Sequence, residues 1–102
     1  MAHHQEQDQR SLMLHTAAIK LMQQDALLIE RALSILDRWM KVTVIHSAPL
    51  LKEWRRILTE RDWDLALSKS ERGNQLRQAS PVACILPNKQ RLEIIKSCKK
   101  AN

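Results

Sequence analysis

The residues predict an all-α fold: a small bundle of four to six helices around one long N-terminal amphipathic helix. Three observations point there. The chain of 102 residues has one Gly and three Pro, so little interrupts helical propensity. It has no Phe and no Tyr, while Leu, Ile, Ala and Gln are frequent, which disfavours a sheet. Between Leu12 and Met40, apolar residues recur at Leu12, Ile19, Met22, Ala26, Ile29, Leu33, Leu36 and Met40, with His15 breaking the series. Steps of three and four residues are the period of a helix seam that meets another helix.

A second stripe, Leu14, Ala18, Leu21, Leu28, Ala32, Ile35 and Trp39, runs roughly 100° around the same helix. The apolar sector is therefore broad and wants partners on two sides. Unbroken from Leu12 to Met40, the helix would be about 43 Å long, against a diameter of roughly 34 Å for a compact domain of this size. It must overhang or break. Gln23-Gln24-Asp25 is the natural break, with Asp25 capping a new helix at Ala26. The heptad phase nevertheless passes through the triplet without slipping, so the expectation is one continuous helix. Its overhang would then need a second copy of the chain, and Leu12, Ile19, Met22, Ala26 and Ile29 are the expected self-association face.

Residues 1–11 are polar and expected as a flexible tail, leaving 12–102 as a single helical domain. After the long helix, the β-branched run Lys41 to His46 weakens helicity. Ser47 and Pro49 then signal a new start. The second helix is expected from about Ala48 to Glu60, burying Leu50, Leu51, Trp54, Ile57 and Leu58. Asp62 caps a short piece from Trp63 to about Lys69, read as helix although Trp63, Leu65 and Leu67 alternate. Gly73 is expected in a turn or at the end of that piece, with another helical turn from Gln75 to Ala79. Ser80-Pro81 opens an apolar turn that Pro87 stops. Asn88 caps a last helix, Lys89 to about Lys99, packing Leu92, Ile95 and Cys98. Trp39, Trp54 and Trp63 are the only aromatics and are expected as the largest core pieces. Truncating a buried one costs about 3–5 kcal/mol.

The formal charge is +6. Residues 1–51 hold five Lys or Arg against five Asp or Glu, and residues 52–102 hold twelve against six, so the surplus lies in the second half. That asymmetry suggests an acidic partner. The basic tail of the last helix also has a structural explanation, because Lys96, Lys99 and Lys100 sit where the helix dipole favours cations. Cys84 and Cys98 are no disulfide framework, and the polar Met1–Arg10 stretch is no signal peptide, so a cytoplasmic location is expected. No apolar run approaches the roughly 18–20 residues of a membrane span.

Catalytic signals are sparse. Cys84 with His15 or His46 has no supporting local signature, and Cys84 is expected as a buried structural thiol. Asp62 and Asp64 flank a helix start, which explains them better than acid–base work. One Gly cannot make a phosphate-cradling loop. His3, His4, His15, His46, Cys84 and Cys98 show no zinc spacing. No metal, cofactor or small-molecule substrate is expected, and the chain is read as non-enzymatic. The leading expectation is a helical interaction or regulatory domain, a homodimer through the first helix. Its basic second half would meet an acidic protein or nucleic acid through Arg55, Arg56, Arg72, Arg77, Lys89 and Arg91. The alternative is a small DNA-binding regulator using Arg72 to Arg91, with Gly73 as the turn of a helix-turn-helix and Gln75, Arg77, Gln78 and Ser80 as readers. An enzyme of unknown type stands third.

Overall fold

The computed structural model describes residues 2–42 and 48–100, with side chains over 8–42 and 48–97. Among these, the chain forms six α-helices and no strand. They are α1 (Ala2–Gln24), α2 (Ala26–Val42), α3 (Ala48–Glu60), α4 (Trp63–Ala66), α5 (Glu71–Gln78) and α6 (Asn88–Lys100). A 3₁₀ turn, Val82–Cys84, precedes α6. α1 is the axis: α2, α5, α6 and the 3₁₀ turn all pack on it. α2 packs on α3, and α3 on α4 and α5.

The expected continuous helix is not formed. As one straight rod, residues 2–42 would run about 61 Å, and the longest dimension of the molecule is 39 Å. The chain turns at Asp25. Its amide still donates to the Leu21 carbonyl at 3.0 Å, closing α1, while its carboxylate accepts the Leu27 amide at 3.0 Å and its carbonyl the Leu28 amide at 3.0 Å. One residue thus ends one helix and caps the next, which satisfies amides that would otherwise be orphaned. The heptad phase persists across the turn because both helices bury the same series of residues, on different neighbours.

α1 also begins earlier than expected. Residues 2–11, read as a tail, are helical from Ala2, and the Asp8 carboxylate accepts a hydrogen bond from Asn74 Nδ2 on α5 at 3.4 Å.

With the chain folded back, the broad apolar sector is covered from within. Ala18, Ile19, Met22, Ile29, Ala32 and Leu36 are buried with Leu51, Trp54, Ile57 and Leu58 of α3 in one core. Ala66, Leu76, Val82, Ile85 and Leu86 complete it. The proposed self-association face is therefore corrected. Ile19, Met22 and Ile29 lie inside this core, Leu12 is half-buried, and only Ala26 is exposed. The overhang that called for a second copy is gone. Of the tryptophans, Trp54 alone is fully buried; Trp39 and Trp63 pack partly buried at the margin. Of the residues expected to pack α6, Leu92 is 56% exposed, Ile95 is half-buried and the Cys98 side chain lies outside the described residues; Ile94 packs against the core.

The short elements are held by caps. α3 ends with the Asp62 amide on the Ile57 carbonyl at 3.0 Å and Arg61 in the left-handed region at φ 58°. Asp62 then caps α4, its carboxylate accepting the Leu65 amide at 3.3 Å. This capped turn is what prevents the alternating Trp63, Leu65 and Leu67 from extending. Ser70 caps α5 by accepting the Gly73 amide at 3.1 Å.

Gly73 is neither a turn nor a helix end; it sits in the first turn of α5. A Cβ there would lie 2.2 Å from the Ser68 carbonyl oxygen, so the position needs Gly for close approach rather than for its dihedral freedom. Gly73→Ala is expected to destabilise the protein by roughly 1–3 kcal/mol, because the overlap exceeds the gain in helix propensity. A urea-unfolding midpoint unchanged or raised would contradict the close approach. Asp25→Ala is expected to lose about 1 kcal/mol in the same measurement, the usual cost of removing a side-chain cap.

Candidate functional site

Two of the three buried polar side chains, His15 and Arg77, lie among α1, α3, α4 and α5. His15 enters on α1 at the one non-apolar position of the seam, and 2% of it is exposed. Its Nδ1 lies 2.7 Å from the Ser11 carbonyl oxygen. A carbonyl can only accept, so Nδ1 carries the proton and Nε2 is left as the acceptor. Nε2 is buried without a hydrogen-bond partner. The ring stacks on Trp54 of α3 with centroids 6.1 Å apart and planes 21° from parallel.

Trp54 in turn donates its indole Nε1–H to the Leu76 carbonyl at 2.6 Å, near the C-terminal end of α5. The same carbonyl also accepts the Ala79 amide at 3.1 Å, and the indole bond ties α5 to α3. Arg77, the next residue, points the other way. Its Nη1 donates to the Ala66 carbonyl at 2.9 Å and the Ser68 carbonyl at 2.8 Å, and its Nη2 to the Asn74 side chain. The first two acceptors are the end of α4 and the segment that follows it. Arg77 therefore closes a four-residue helix that could not stand alone.

Electrostatics follow from burial. Desolvation pushes the His15 pKa down from 6.5 to about 4; the Ser11 bond opposes this and the positive charge of Arg77 adds to it. Desolvation also draws the Arg77 guanidinium below its ordinary value, with Asp8 acting in the opposite direction. The guanidinium stays charged, as arginine does in proteins.

Through Trp54 and Arg77 this cluster holds helices together. His15 Nε2 has the lone pair of a base, but Cys84, its imagined nucleophile, is exposed in the 3₁₀ turn rather than buried as expected. His46, the other suggested base, lies outside the described residues. No group of three or more His, Cys, Asp or Glu that could hold a metal occurs among the described residues. No helix among them is long and apolar enough to cross a membrane.

The six expected partner-contact residues do not form one face. Arg77 is buried and holds carbonyls, which removes it from any surface. Arg91 is half-buried and donates to the Ala83 carbonyl. Arg56 is engaged by three carboxylates: Glu53 at 2.7 Å, Asp62 at 3.0 Å and Glu60 at 3.1 Å. Arg55 pairs with Asp37 of α2, and Arg72 reaches Glu53 at 4.0 Å. Lys89 is exposed on α6, with no ion pair among the described residues. The proposed helix-turn-helix is likewise absent: Gly73 lies inside α5, and Arg77, one of its four readers, faces inward. Ser80, another reader, is buried and accepts the Val82 amide at 3.0 Å.

Summing charge over halves of the chain missed where exposed cations remain. Arg31, Arg38 and Lys41 of α2 are exposed and carry no ion pair among the described residues, although the first half is formally neutral. The only sequence signal for them is their spacing on one helix. Comparison with protein-family models, curated proteins and solved structures finds no match for the chain.

The buried imidazole has a measurable consequence. The unfolded chain binds a proton near pH 6.5, and the folded protein binds it only near pH 4. Between those values the unfolded state holds more protons, so stability falls as pH drops through that window and is fully retained above it. The total loss from this group is about 3 kcal/mol. Urea unfolding of the wild type and His15→Leu at pH 7.5, 5.5 and 4.5 isolates it. The wild type is expected to lose more stability on acidification than the variant; parallel losses would show that His15 is not buried neutral.

Proposed function

We propose that this chain is a non-enzymatic helical interaction domain that binds an acidic protein partner through its exposed cations. One observation carries the reading: the exposed carboxylates and the exposed cations are not matched. Asp37, Glu53, Glu60 and Asp62 are tied by Arg55 and Arg56. Arg31, Arg38, Lys41, Lys52, Lys69, Lys89 and Lys96 are exposed with no ion pair among the described residues. Asp25, Glu30, Asp64, Glu71 and Glu93 are likewise exposed with no ion pair among the described residues, but the unpaired exposed cations outnumber them, so the described surface carries net positive charge. Such a field attracts and orients an acidic surface, and supplies association rate more than raw affinity.

The interior supports the same reading. Trp54 and Arg77 commit buried donors to backbone carbonyls near the ends of α5 and α4, which fits a scaffold that presents its surface. Self-association through α1 is not part of this proposal, because the side chains it required are in the core.

Binding to polyglutamate, followed by fluorescence anisotropy, tests the proposal. Affinity is expected to be measurable in about 50 mM salt and to fall steeply by about 300 mM, as screening shortens the reach of exposed charges. No binding at low salt, or binding insensitive to salt, would sink it.

A further inference from the structure

We infer that the outer face of α2 is the docking seam, and that it takes an acidic helical segment of another protein laid alongside it. The inference rests on the reading that the domain binds an acidic partner, and it names the surface and the shape of that partner.

The outer residues of α2 that no other helix covers include Leu27, Arg31, Ser34, Arg38 and Lys41, all exposed. Their spacing of four, three, four and three residues is the seam period of a helix that packs lengthwise on another. At about 100° per residue these five fall within an arc of roughly 80°. Glu30 and Asp37 lie just beyond that arc. Arg55 of α3 pairs with Asp37 and also approaches Met40 Sδ at 3.8 Å, so α3 borders this edge. The cationic stripe itself contains no carboxylate. At its N-terminal end stands Leu27, an apolar side chain 69% exposed.

Charge complementarity selects the occupant. A second copy of this chain would set Arg31, Arg38 and Lys41 against one another, and like charges across a helix seam are repulsive. An acidic helix places carboxylates opposite all three and an apolar residue opposite Leu27. Nucleic acid fits less well. Three cations at steps of roughly 10 Å and 5 Å along the axis, bordered by Glu30 and Asp37, do not make the dense cationic surface that phosphates require.

The test uses a labelled three-heptad helical peptide whose seam is Leu followed by Glu, in about 50 mM salt. Arg31→Glu/Arg38→Glu is compared with Lys89→Glu/Lys96→Glu, which changes net charge equally but lies on α6. Circular dichroism confirms that both variants fold; all four positions are exposed. The α2 variant is expected to lose roughly tenfold or more in affinity, and the α6 variant less than roughly threefold. Equal losses would overturn the seam while leaving a general affinity for acidic partners intact. Polyglutamate binding without peptide binding would have the same meaning, and failure to bind either ligand would remove both proposals. Tighter binding to a DNA duplex than to the peptide, lost in the α2 variant, would overturn the partner class.

Discussion

The Asp25 carboxylate accepts the Leu27 amide in the same residue whose own amide closes α1. On that pair of hydrogen bonds depends the direction of everything that follows. Helical propensity and apolar period both run through the site, and a rod of about 61 Å would have carried apolar surface beyond the reach of the rest of the chain. The turn lets α2, and with it α3, pack where that surface would otherwise meet water. Ile19 and Met22 of α1 then share one core with Ile29 and Leu36 of α2. A cap worth about 1 kcal/mol does not supply the stability of that core. It selects between two ways of burying the same side chains, within one chain or between two.

The second half of the chain poses a different problem. α4 has four residues and α5 eight, too short to persist on their own. They persist because buried donors reach their ends. Trp54 donates to Leu76, and Arg77 to Ala66 and Ser68. Gly73 makes the last of these possible by letting α5 approach the Ser68 carbonyl. His15 lies over Trp54, and its burial holds the imidazole neutral, with the charge of Arg77 adding to that effect. The Trp54 and Arg77 side chains of this cluster join helix ends, while His15 Nε2 is left without a hydrogen-bond partner.

This arrangement explains why basic composition and basic surface differ. Arginine offers several donors in a fixed fork, and the fold uses several arginines internally or within ion pairs. Arg56 joins the end of α3 to the cap of α4, and Arg55 bridges α3 to α2. The exposed, unpaired cations of α2 belong to a half of the chain whose formal charges cancel. Net charge counts residues; the field a partner meets depends on which of them are already paired.

The sequence by itself determined the helical class, the span of α3, the cap at Asp62, and the choice of Trp54, Ile57 and Leu58 as core. Each is a local matter of period, cap chemistry or breaker placement, and local physics acts on neighbours in the chain. Only the tertiary structure decided that Asp25 turns the chain, that Gly73 is a point of close approach, and that Arg77 faces inward. It also decided that Cys84 faces outward. Those outcomes depend on what lies opposite: the neutral phase across Asp25 permits either a rod or a turn, and an arginine in a polar helix reads the same whether its partner is water or a carbonyl. Contacts between residues far apart in the chain resolve both, because burial there is settled by the sum of all the helices and by no single stretch.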